Sequence, residues 1–197
     1  MLRNGYYLWI IILLIVAIWQ LGQGFYIQAK AFLAQALLEK AWVETRNGAQ
    51  QVTPWPWADT WPVARLSVPR LGVNLIVLAG DTGRTLAFGP GHNFASAKPG
   101  ESGNSVISGH RDTHFEFLQH IQDGDQIIIE PIRGKSKVYL VVQQNIVNEQ
   151  QGYLPFDENL SSIYLITCYP FNSIHPGATQ RYIVTARDID SLQRTNI

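Results

Sequence analysis

From Tyr6 to Trp19 the chain is Tyr-Tyr-Leu-Trp-Ile-Ile-Ile-Leu-Leu-Ile-Val-Ala-Ile-Trp, and only Gln20 and Gln23 dilute the run before Phe25, Tyr26 and Ile27. Tyr6 to Ile27 is 22 residues, enough for a helix to cross a hydrocarbon layer of about 30 Å. Tyr6, Tyr7, Trp9, Trp19 and Tyr26 lie towards the ends, as aromatics at membrane interfaces do. The run therefore separates a membrane segment from everything that follows. A cleaved signal peptide is the rival reading, but residues 20–30 hold no convincing Ala-x-Ala site. Either reading exports the remainder of the chain. Arg3 favours an N-terminus on the inner side, with Lys30 weakening that signal.

Beyond the anchor, Phe32, Leu33, Ala36 and Leu37 recur at helical spacing among Lys30, Gln35, Glu39 and Lys40, so an amphipathic helix is expected over Ala29–Val43. Asn47-Gly48 is the expected stop. Gln50 to Pro62 holds Pro54, Pro56, Pro62, Trp55, Trp57 and Trp61, the composition of an extended connector whose aromatics pack on a domain surface. Expected boundaries are 1–27 for the cytoplasmic N-terminus and anchor, 28–61 for the helix and connector, 62–190 for the folded domain and 191–197 for a tail.

With 46% hydrophobic and 15% charged residues in 197, the chain can bury one ordinary core. Fifteen basic residues balance fifteen acidic ones, which gives no nucleic-acid footprint and no long-range steering. Short β-prone runs follow Pro62: Ala64–Val68, Val73–Leu78, Ser105–Ile107, Gln126–Ile129, Lys137–Val147, Ser162–Thr167 and Arg181–Ala186. Gly80–Gly91 reads as a loop with at most one helical turn, and Phe115, Leu118 and Ile121 mark a short helix over His114–Ile121. Up to eight short strands with little helix indicate an all-β barrel or sandwich.

Cys168, the single cysteine, ends the apolar run Ile163-Tyr164-Leu165-Ile166-Thr167 just before Tyr169-Pro170. It has no intramolecular disulfide partner. A thiol at its ordinary pKa of about 8.5 is only a few per cent ionised at neutral pH, so a nucleophilic cysteine needs an imidazole to exchange its proton and a cation to hold developing charge. His110, after Ser105-Val106-Ile107-Ser108-Gly109, and Arg181, opening the last strand, are the candidates, though spacing alone leaves open whether they meet. A buried unreactive cysteine, a loop histidine and a paired arginine are the alternatives. His110, His114 and Cys168 as a zinc site is disfavoured by Gly109 and by the lack of a second cysteine, and no acidic cluster suggests calcium.

These residues carry a family resemblance. Tyr164-Leu165-Ile166-Thr167-Cys168 resembles the Thr-Leu-x-Thr-Cys signature of sortases, with Tyr164 in place of the first threonine. The Gly109-His110-Arg111-Asp112 and Gln180-Arg181-Tyr182 stretches resemble the family's histidine and arginine motifs. Pro54-Trp55-Pro56-Trp57 to Leu66 and Phe88-Gly89-Pro90-Gly91-His92 extend the likeness towards the sortases of Gram-negative bacteria, called class GN. The resemblance spans residues 52–187. It implies a closed β-barrel of about eight strands, no cofactor, and a membrane-anchored cysteine transpeptidase on the periplasmic side of the inner membrane. The implied substrate is a protein with a C-terminal sorting signal resembling Leu-Pro-x-Thr-Gly; the amine acceptor is not specified. Cys168 is the implied nucleophile, His110 the proton carrier and Arg181 the oxyanion donor. Thr167, Tyr169, His92 and Asp112 are supporting candidates. A thiol hydrolase would use the same residues with water as acceptor, and a non-catalytic periplasmic binding domain would need none of them.

Overall fold

The computed structural model describes residues 2–151, 156, 160–173 and 177–190. The chain divides into two compact units, Met1–Leu37 and Leu38–Ile197. The described residues of the first are helical, the N-terminal part of helix α1 (Leu2–Arg46). Its apolar side chains from Tyr6 on stay largely exposed, Leu21 by 74% and Phe25 by 78%. This is one helix long and apolar enough to cross a membrane.

Within the second unit, the last turns of α1 bury Leu38, Ala41, Trp42 and Thr45, the i, i+3, i+4, i+7 spacing of one helix face. Leu38 and Trp42 pack with Ile76 and Leu78. The buried stripe thus begins after the expected Phe32 and Leu33, which remain exposed. Arg46 pairs with Glu130, and Glu39 accepts a 2.6 Å bond from Arg65. Of the connector aromatics, Trp55 packs as expected, meeting Phe88 edge-on at 4.7 Å, whereas Trp57 stays 83% exposed and does not.

Eight strands follow: β1 (Pro62–Val68), β2 (Val73–Ala79), β3 (Gly91–His92), β4 (Asn104–Ser108), β5 (Gln126–Pro131), β6 (Lys137–Asn148), β7 (Ser162–Tyr169) and β8 (Gln180–Asp188). They close into a barrel in the order β1-β2-β3-β4-β7-β8-β6-β5, with β1 and β5 sealing it. Closure leaves no open edge for stray pairing. Helix α2 (Gly83–Leu86) supplies the single helical turn in the Gly80–Gly91 loop, and the expected helix after His114 is a 3-10 turn over Glu116–His120.

Alternation sets the interior. Ala64, Leu66 and Val68 of β1 and Ile163 and Leu165 of β7 point inward and are fully buried. Tyr164 of β7, Val106 of β4 and Ile183 of β8 form a second apolar cluster on the opposite, outer face. Strand β3 has only two residues and no readable period. It exists because Gly91 lets two backbones touch: a Cβ there would fall 2.2 Å from the Gly80 carbonyl oxygen. Gly80 N–H donates to His92 O at 2.9 Å across that contact.

Candidate active site

The site is assembled by strand register. β4 and β7 run parallel, with Val106 opposite Tyr164, Ile107 opposite Leu165 and Ser108 opposite Ile166. Pairing continues one residue further, where Gly109 N–H donates to Ile166 O at 3.0 Å. His110 therefore leaves β4 level with Cys168 at the end of β7. On the other side β7 and β8 are antiparallel, and Cys168 stands directly opposite Arg181. Directly opposed residues in such a ladder have Cβ atoms roughly 4.5–5.5 Å apart.

Cys168 and Arg181 fall on the outer face. The inward series Ile163, Leu165, Thr167 places Tyr164, Ile166 and Cys168 outside, and Ile183 places Arg181 there. Just beyond β4, Gly109 passes close to the buried Phe115 ring, where an added Cβ would lie 2.7 Å from Cγ, and His110 follows it. His110 is exposed, while Cys168 and Arg181 are half-buried. The thiol is free.

Local bonds hold the segment that carries His110. Thr167, 2% exposed, donates from Oγ1 to Gly109 O at 2.7 Å, tying the residue before Cys168 to the residue before His110. Arg111, also buried, donates to Pro170 O at 2.8 Å and Ser173 O at 2.7 Å, fastening the same loop to the segment after Cys168. Asp112 is exposed and pairs with Arg111 Nε at 3.2 Å. Tyr169 ends β7 before a cis peptide to Pro170 and stacks on Tyr182 at 6.2 Å. His92 is set apart on β3, opposite Ile107, 4% exposed, with Nε2 at 2.9 Å from Ala97 O. Register thus brings together Cys168, His110 and Arg181 with Thr167 and Tyr169. His92 sits further along the barrel as a buried loop support.

Arg181 donates from Nη1 to Ala178 O at 2.6 Å and to Gln180 O at 3.1 Å, and from Nη2 to Glu149 Oε2 at 2.6 Å. Sequence reading found neither Glu149 nor the tethering role of Arg111, since both act through backbone carbonyls or a loop carboxylate with no motif of their own. Burial holds the pKa of half-buried His114 below the usual histidine value, and the nearby His110 adds to this, against a hydrogen bond to the backbone of Ala87. Cavities of about 490 Å³ beside Trp61 and Arg133 and about 450 Å³ beside His114 and His120 do not include Cys168 or Arg181. An outer-face site suits an extended peptide laid across strands better than an enclosed small molecule.

A barrel of this order, with a strand-end cysteine opposite an arginine, defines a recognisable class. Residues 66–189 match the sortase domain family, and the chain belongs to it. It is 28% identical over 124 residues to sortase D of Bacillus subtilis (strain 168), covering 63% of this chain and 62% of that relative. The match thus spans less than two thirds of the curated relative's length. Among solved structures, the sortase D5 transpeptidase of Clostridium perfringens is similar with a TM-score of 0.64 and 22% identity, covering 80% of this chain and 98% of that one. Sortase A of Corynebacterium diphtheriae is similar with a TM-score of 0.59 and 27% identity, covering 80% and 84%.

Proposed function

We propose that this chain is a membrane-anchored cysteine transpeptidase of the class GN type, in which Cys168, His110 and Arg181 carry the reaction. The supporting observation is the register that sets Cys168 opposite Arg181 on β8 and level with His110 beyond β4. The catalytic unit is residues 62–190, held on the periplasmic face of the inner membrane by the N-terminal helix with its first residues in the cytoplasm.

The chemistry follows from those positions. The Cys168 thiolate attacks the carbonyl of a Thr-Gly-type bond in a C-terminal sorting signal, and charge moves to the carbonyl oxygen. Arg181 donates to that oxygen, where a fixed donor is worth most as charge develops. The Tyr169 N–H, following the nucleophile, is a second donor. Collapse breaks the C–N bond, and the departing amine takes its proton from imidazolium His110, leaving a thioester on Cys168. An incoming amine then attacks the thioester, gives its proton to His110, and expels the thiolate. The outer cluster of Tyr164, Val106 and Ile183, itself almost fully buried, backs the wall along which the residues before the scissile bond lie.

The test uses the full chain in detergent with a fluorogenic peptide containing a Leu-Pro-x-Thr-Gly-like sequence. Cys168→Ala is expected to abolish turnover; cleavage persisting in that variant would overturn the mechanism. Mass spectrometry of products with and without an added amine separates transfer from hydrolysis. A product insensitive to the amine would assign a hydrolase instead.

A further inference from the structure

Arg181 is held before any substrate arrives. Both hydrogens of Nη1 go to carbonyls of its own lead-in, Ala178 and Gln180, and one hydrogen of Nη2 goes to Glu149. A guanidinium has five N–H donors, so Nε–H and the second Nη2 hydrogen remain, and neither has an acceptor among the described residues. Glu149 supplies the charged member of this set. It opens the 3-10 turn Glu149–Gln151 that follows β6, and its own N–H donates to Thr179 O at 2.9 Å. That backbone bond anchors the carboxylate to the segment leading into β8.

We infer that Glu149 is a positioning residue for Arg181: it fixes the guanidinium so that the free N–H groups face the oxygen on which charge develops. This rests on the proposed role of Arg181 as oxyanion donor. A surface ion pair of this kind contributes little to stability, because water screens it and long side chains lose freedom in forming it. Its value lies in preorganisation. An arginine side chain carries large rotamer entropy, and a donor that must be recruited during the reaction stabilises the transition state less than one already in place. The carboxylate also withdraws some of the positive field of Arg181, which on its own would predict faster turnover once it is removed. Positioning and field cancellation thus make opposite forecasts.

The experiment measures kcat and KM of the full chain in detergent, with acylation of Cys168 followed by mass spectrometry in a single turnover. Glu149→Ala is expected to lower kcat and the acylation rate about tenfold with KM within about twofold, since the interaction is felt in the transition state. Glu149→Gln keeps an acceptor oxygen and is expected to recover to within about threefold of the parent. In an Arg181→Ala background, Glu149→Ala is expected to cause no further loss, because the coupling runs through the missing guanidinium. A Glu149→Ala rate equal to or above the parent, or the same fractional loss with and without Arg181, would overturn the inference. Should Glu149→Ala lose its folded circular dichroism, Glu149→Gln and Glu149→Asp carry the comparison: gln and parent alike, with Asp slower, supports positioning, and all three alike overturns it. Turnover by Cys168→Ala would instead sink the underlying catalytic reading, whatever Glu149 does.

Discussion

At the scale of single residues, Tyr164 is the most informative departure from the family signature. Its ring is 2% exposed on the outer face, among Val106 and Ile183, and Phe156 meets it edge-on at 5.2 Å. It precedes Cys168 by four residues on the same face, about 13 Å along the strand at roughly 3.3 Å per residue. In the proposed mechanism an extended peptide rises at nearly the same rate, so the covered wall that Tyr164 supports faces the side chain about four residues before the scissile bond. A threonine there would leave more room. Tyr164→Thr is expected to cost about 2 kcal/mol of stability from the lost buried ring, and to admit larger apolar side chains at that substrate position. Urea unfolding measures the first, and kcat/KM over peptides carrying Ala, Val, Leu, Phe or Trp there measures the second. A folded variant with the parent's selectivity order would remove Tyr164 from any role in recognition. The residue itself was visible in sequence as a mismatch, whereas its burial was not, because strand alternation alone does not reveal that an outer face is covered.

At the scale of elements, the end of β4 decides where His110 stands. Gly109 is its pivot: a Cβ added there would lie 2.7 Å from Cγ of Phe115, a fully buried ring that cannot retreat without opening the core. Gly109→Ala is therefore expected to destabilise the domain by about 1–3 kcal/mol and to lower kcat, since any shift of Gly109 also stretches the Thr167 bond to its carbonyl. Thermal unfolding with parallel peptide turnover tests this, and an alanine variant as stable and active as the parent would show that the Phe115 ring yields freely. The element level was also where sequence reading succeeded most. Apolar alternation located seven of the strands, and Asn47-Gly48 marked the end of α1 after Arg46. The two-residue strand β3 was invisible because two residues carry no period, and its cause is a close backbone approach between distant segments. Only the last turns of α1 pack within the barrel unit, because apolar spacing in a long helix does not say which turns meet protein. Cys168, His110 and Arg181 were legible as a set through their motifs, while their convergence required the parallel pairing of β4 with β7, which no local pattern encodes.

The whole molecule responds to pH through histidines that the fold buries wholly or in part. Burial holds the pKa of His92 below its ordinary value of 6.5, with Lys98 adding to the effect and the bonds to Ala97 and Ser96 and the charge of Asp81 opposing it. His114 is shifted the same way, first by burial. A group that binds its proton less readily when folded favours the folded state above its unfolded pKa, and this contribution is lost as the pH falls from 6.5 through the lower folded value. Asp125 acts in a more acidic window. The hydrogen bond from Arg70 lowers its pKa below the ordinary 3.8 despite partial desolvation, so that contribution is present at neutral pH and disappears only below the usual carboxylate range. Two separate acid steps are thus expected, the histidine step first. For the full chain in detergent, the melting temperature is expected to be nearly level from pH 8 to 7 and to fall between pH 6.5 and 5. His92→Gln is expected to melt lower than the parent at pH 7.5, having lost a buried ring, yet to show a smaller drop between pH 7.5 and 5.5. An equal drop in the two proteins would assign the first acid step to His114 or to groups outside the barrel wall, and would leave His92 with a packing role alone.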